Sequence, residues 1–92
     1  MAQVEQVVLR RDPNEPPYAT LRAHLIAARA AAGFTQEALA KQIGKPQSFI
    51  AKLERGERSI DVIEFVAIAR VIGLDIKEVL TAVAADLKGA SG

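Results

Sequence analysis

Apolar residues recur along the chain at helical spacing in five blocks, separated by glycines and capping residues. In the first, from about Tyr18 to Ala32, Leu21, Leu25, Ala28 and Ala32 fall at i, i+4, i+7 and i+11 and define one face. The block is rich in alanine, the strongest helix former, and Gly33 ends it. Thr35 is a suitable N-cap for a second helix over about Gln36–Ile43, which Gly44 stops. Pro46 suits the first position of a third helix, running to about Arg55. Ile50 and Leu53 are spaced to point inward there, whereas Gln47, Ser48, Ala51, Lys52 and Arg55 lie toward the other side, and Gly56 ends the block. Asp61 and Glu64 have capping-box spacing ahead of a fourth helix that reaches about Ile72, followed by Gly73. Asp75 and Glu78 repeat the device and open a fifth, with Val79, Leu80, Val83 and Leu87 as its stripe. Gly89 to Gly92 read as a frayed tail.

The first 17 residues differ in character. Val4, Val7, Val8 and Leu9 form a short β-prone run, read as an arm that pairs with something. Asp12-Pro13-Asn14 is a turn signal, and Pro16-Pro17 block any helix entering from before. The predicted organisation is an arm over 1–17 and an all-α, five-helix domain over 18–92.

Composition narrows the chemistry. A chain of 92 residues, half of them hydrophobic, makes about one domain with a small core, a size at which dimerisation often adds burial. There is no cysteine, hence no disulfide frame and no cysteine-based zinc site. The one histidine, His24, makes no metal cluster alone and reads as a surface residue of the first helix. No apolar run is long enough for a membrane span, and the N-terminus lacks a signal-peptide pattern. A cytoplasmic protein without a cofactor is expected. No Ser/His/acid set, paired-carboxylate site or glycine-rich phosphate loop is evident, which argues against an enzyme.

The net charge of +1 conceals an uneven distribution. Residues 1–21 carry two basic and three acidic groups, giving −1, and residues 59–92 carry three and five, giving −2. Residues 22–58 carry seven basic and three acidic groups, giving +4. A basic excess confined to the middle fits a surface that meets a polyanion; ordinary solvated surface charge is the plainer alternative.

That basic stretch is also where two short helices flank Gly44. A pair joined by a glycine-containing turn is a helix-turn-helix, whose second helix enters the DNA major groove. The crossing needs a small residue, supplied by Ala40. The turn needs left-handed backbone, supplied by Gly44. Ile50 and Leu53 pin the second helix from beneath.

Residues from about Leu21 to Leu80 resemble the phage-repressor and Cro type of helix-turn-helix family, the XRE-like DNA-binding regulators. The resemblance rests on Gly33-Phe34-Thr35-Gln36, Leu39-Ala40, Ile43-Gly44, Gln47-Ser48, Ile50, Glu54-Arg55-Gly56 with Arg58, and Leu74 followed by Val79-Leu80. Lys45-Pro46 departs from the usual apolar residue and Ser or Thr cap, and Ile60 stands where proline is common. Pro46 thereby removes a hydroxyl–phosphate contact.

The resemblance implies roles by position. Gln36 would hold a phosphate and brace Gln47, while Gln47 and Ser48 would face base edges. Lys52 would reach a base or a phosphate, and Lys45, Arg55 and Arg58 would contact the backbone. Arg29 and Glu54 would form a largely buried ion pair tying the third helix to the first; the alternative is two exposed charges. Phe49 either packs against the fold or meets a thymine methyl.

Two functional classes remain. One is a regulator that binds a palindromic operator in double-stranded DNA as a homodimer. The other is an interaction protein on the same fold, such as an antitoxin bound to a partner protein. The polar, basic outer face of the third helix favours DNA, since a protein-binding surface should offer apolar anchors. Ile76, Val79, Leu80, Val83 and Leu87 exceed what one side of a small domain needs and are the expected dimer interface. No ligand-sensing domain is expected after the helices.

Overall fold

The computed structural model describes Gln6, Val7, Leu9 and residues 11–87. It contains five α-helices: α1 (Tyr18–Ala31), α2 (Gln36–Gln42), α3 (Gln47–Glu54), α4 (Val62–Ile72) and α5 (Ile76–Asp86). The start signals of α2, α4 and α5 each act through a side-chain cap bond. The Thr35 hydroxyl accepts the Ala38 N–H at 3.0 Å. Asp61 accepts the Glu64 N–H at 2.7 Å while Glu64 accepts the Asp61 N–H at 3.0 Å, a complete capping box. At α5 only the forward half forms, with Asp75 accepting the Glu78 N–H at 3.1 Å.

Three expectations need correction. Pro46 is the N-cap of α3 and not its first helical residue, because its ψ of 157° is extended. Ala32 caps α1 and is exposed, so it does not continue the apolar face. Ala51, expected on the outer face of α3, is buried. It lies one turn from both Gln47 and Glu54, and both of those side chains are held by Gln36 of α2. Only a small side chain is thus enclosed at this position of α3.

The core gathers Leu25 of α1, Leu39 and Ala40 of α2, Ile50 and Leu53 of α3, Phe65 and Ile68 of α4 and Val79 of α5. Leu39, Ile50 and Ile68 are completely enclosed. Complete burial of such side chains contributes about 1.5–3 kcal/mol each. The Thr20 hydroxyl donates to the Asp86 carboxylate and links α1 to the end of α5.

Before α1 the chain turns at Asp12–Glu15, with the Asp12 side chain accepting the Asn14 N–H at 2.9 Å. The turn lies back on the domain: Arg22 donates to the Pro13 carbonyl. Gly56 (φ +77°) fits beneath, since a Cβ there would stand 3.0 Å from the Pro13 Cβ and 3.1 Å from the Arg22 guanidinium. Val7 takes part in an isolated β-bridge, and Val7 and Leu9 are exposed. Val4 and Val8 of the β-prone run, and the tail Gly89–Gly92, lie outside the described residues. Among the described residues no helix is long and apolar enough to cross a membrane.

Candidate nucleic-acid interface

Helices α2 and α3 cross as the spacing requires. Ala40, 1% exposed, sits at the crossing, and Ile50 and Leu53 anchor α3 from below. Gly44 adopts φ +70°, and the Lys45 N–H returns to the Ala40 carbonyl at 2.9 Å. This turn closes α2 and redirects the chain into α3 within four residues, Ile43 to Pro46. The face of α3 left outside carries Gln47, Ser48 and Lys52, all exposed, and Arg55 follows as its exposed C-cap.

A relay of polar side chains fixes that face. Arg29 grips Glu54 with two bonds, Nε to Oε2 at 2.6 Å and Nη2 to Oε1 at 3.0 Å. The pair's side chains are 16% and 11% exposed, so it is largely buried, as the resemblance implied. Arg29 also donates to the Phe34 carbonyl at 2.8 Å, holding the turn between α1 and α2. Gln36 donates to the same Glu54 at 2.8 Å and accepts from Gln47 at 2.8 Å. Three helices are thus coupled to one exposed amide. The bond from Gln47 to Gln36 leaves the Gln47 Oε1 and one N–H without a partner among the described residues, a donor and acceptor suited to a base edge.

The basic residues divide into two groups. Lys45 and Lys52 have no ion pair among the described residues. Arg55 is paired with Glu57 at 2.8 Å, both being about half exposed. Arg58 is paired with Glu64 through two bonds of 3.0 and 3.1 Å and also donates to the Ser59 carbonyl at 2.8 Å. The bond from Arg58, followed by the Asp61 N–H, holds the Glu64 carboxyl below its usual range. Glu57 is likewise lowered, chiefly by its bond from Arg55.

Phe49 packs into the core at 7% exposure. Arg58 and Lys45 lie over its ring, with Arg58 Cζ 4.2 Å and Lys45 Nζ 5.3 Å from the centroid. Sequence reasoning missed this cluster and the part Glu64 plays in it. The Asp61–Glu64 box was legible, but it explains Glu64 completely by local capping and so hid the link to Arg58. Of the five residues expected at a dimer interface, Val79 is 2% exposed and belongs to the protomer core. Leu80 is 49% exposed, and Ile76, Val83 and Leu87 are half-buried. His24 is half-buried on α1. No group of three or more metal-ligating side chains occurs among the described residues.

Residues 25–79, more than half of the chain, match the helix-turn-helix family. An XRE-family like protein from Pseudomonas syringae pv. tomato is 46% identical and superposes with a TM-score of 0.63, covering 73% of this chain and 85% of that one. The chain belongs to the XRE family of helix-turn-helix proteins. The clp gene regulator ClgR from Corynebacterium glutamicum is also similar, at 25% identity and a TM-score of 0.63, over 75% of this chain and 88% of that chain. A second ClgR structure gives 26% and 0.64, over 72% and 70%. No curated protein matches the chain. The superpositions, with TM-scores of 0.63 to 0.64, match the five-helix, all-α fold of this chain to those structures. Membership makes this XRE-family chain a DNA-binding transcription regulator.

Proposed function

We propose that the protein binds a palindromic operator as a homodimer, with α3 in the major groove and Gln47 reading a base edge. The observation that carries this reading is the bond from Gln47 to Gln36. It holds an exposed amide at the groove-entering end of α3 and leaves one donor and one acceptor open. Ser48 and Lys52 extend the same face. Lys45, exposed in the turn before α3, is suited to backbone phosphates, which position without specifying. A dimer through α5 would use Leu80, Ile76, Val83 and Leu87, and would set two recognition helices about 34 Å apart, one turn of DNA.

The partner-protein reading has less support at this face, because α3 presents no large aliphatic side chain outward. Among the described residues the most exposed large aliphatic side chains, Val62 and Ile63, lie at the start of α4. Selection on random duplex DNA, with sequencing of the enriched sites, tests the operator. The expected product is a palindrome with half-site centres about 10 base pairs apart. A pool that stays random while the protein remains folded would overturn the reading.

A further inference from the structure

Phe49 is the floor of a charge cluster that capping and core packing do not explain. Lys45 approaches its ring from the turn before α3, and Arg58 from the loop after it. Their shared counter-charge is Glu64, on the first turn of α4. Arg58 donates to Glu64 from both terminal nitrogens, and Lys45 acts on the same carboxylate through space. The end-on fork of a guanidinium on a carboxylate is the geometry it also offers to phosphate. The Asp61 carboxylate also acts on Arg58 through space, so the two cations are close to neutralised in the free protein, beside the helix face that carries Gln47 and Ser48.

We propose that Lys45, Phe49 and Arg58 form a seat for a DNA backbone phosphate, and that Glu64 fills it in the free protein as an internal competitor. This rests on the DNA-binding reading above. The ring orients both cations, and the aromatic face removes the need to order them when DNA arrives. Glu64 cannot diffuse away, because its Oε1 is also bound to the Asp61 N–H at 3.0 Å. A phosphate must therefore take Arg58 from a tethered carboxylate. The side chains of Arg58 and Glu64 are 38% and 18% exposed, so that exchange costs at most about fivefold in affinity. Glu64 thereby limits how tightly the protein holds any duplex. Arg55 and Glu57 lack this arrangement, being open to solvent on both sides.

The test uses the full chain and fluorescence anisotropy with a random-sequence duplex of about 20 base pairs, across a salt series. Glu64→Gln keeps a capping side chain at the start of α4 but removes the charge. Glu64→Asp keeps the charge but shortens the reach. Both should tighten binding by about two- to fivefold, with a salt dependence close to that of wild type because the same phosphates are held in each complex. In an Arg58→Ala background neither substitution should change affinity appreciably. If Glu64→Gln tightens binding equally in that background, or Glu64→Asp behaves as wild type, Glu64 acts only by distant charge and the seat is overturned. Weaker binding by both would make Glu64 the bracket that aims Arg58, which also overturns it. Wild-type protein that binds no duplex at any salt would overturn the DNA-binding reading itself, and that outcome is visible before any variant is compared. Melting followed by circular dichroism verifies that each variant is folded.

Discussion

Gln47 donates to Gln36 across 2.8 Å, and Gln36 in turn donates to Glu54 across 2.8 Å. The side chain proposed to read a base is thus aimed by a residue of the preceding helix. Gln47→Ala should cost about 1–3 kcal/mol per half-site on the selected operator and little on random duplex. Gln36→Ala should cost part of the same amount without moving random-duplex affinity as much. The two losses should be less than additive, since the second removes the brace for a side chain already gone. Anisotropy titrations of both single variants and the double variant at one salt concentration check this. Full additivity would mean that Gln36 acts on DNA independently.

The pair of Arg29 and Glu54 joins α1 to the end of α3 with little solvent around it. Arg29→Ala leaves the Glu54 carboxylate with Gln36 as its remaining partner. The expected loss is about 3 kcal/mol in urea unfolding, the range for breaking a buried pair from one side. A loss below about 1 kcal/mol would be the behaviour of a surface pair.

Gly56 has two reasons to be glycine. Its φ of +77° disfavours any side chain, and a Cβ would press on Pro13 and Arg22. Gly56→Ala should therefore lower stability by about 1–2 kcal/mol from backbone strain and displace the N-terminal turn. Proteolysis near Asp12–Glu15 should accelerate in this variant. An unchanged cleavage rate would mean that the turn does not depend on Gly56.

Much of this was legible in the sequence because its signals are local. Thr35, Asp61 and Asp75 bond to N–H groups three residues on, and Gly44 answers to its own φ. The Arg29–Glu54 pair came from the resemblance, not from periodicity. What was not legible depends on relations across the fold. Ala51 follows the polar spacing of Gln47 and Lys52, yet the fold buries it. Val79 lies on the same helical stripe as Leu80, yet one faces the core and the other solvent. For Arg58 the sequence offers only a contact to the DNA backbone, because nothing in the spacing brings Glu64 and Phe49 to it.

The difference between Val79 and Leu80 separates folding from assembly. Val79→Ala should destabilise the protomer by about 2 kcal/mol, whatever the oligomeric state. Leu80→Glu places a charge on a half-exposed position and should leave the protomer folded while dispersing the proposed dimer. Urea unfolding checks the first, and sedimentation at tens of micromolar, on the order of the concentrations where a weak dimer forms, checks the second. A Leu80→Glu protein that remains dimeric would remove α5 from the interface.

Glu64 also makes stability depend on pH in a definite direction. Its carboxyl is lowered first by the bond from Arg58, then by the Asp61 N–H, with burial opposing and the charges of Arg58 and Lys45 assisting. A lowered value in the folded state means that the unfolded chain binds the proton more readily. The contribution is therefore complete above the unfolded carboxylate value, about 4.3, and is lost as pH falls through the lower folded value. Glu57 shifts in the same direction through Arg55, and acts in the same acidic window. The guanidinium of Arg58 is raised, so it stays charged across this range and opens no second window. Melting temperature should hold between pH 7 and about 5 and decline below about 4.5. Glu64→Gln should melt lower than wild type at neutral pH, with the gap closing in acid as the wild-type carboxyl takes up its proton. A gap that stays constant down to about pH 3 would mean that the bonds between Arg58, Glu64 and Asp61 do not contribute to folding through the ionised carboxylate.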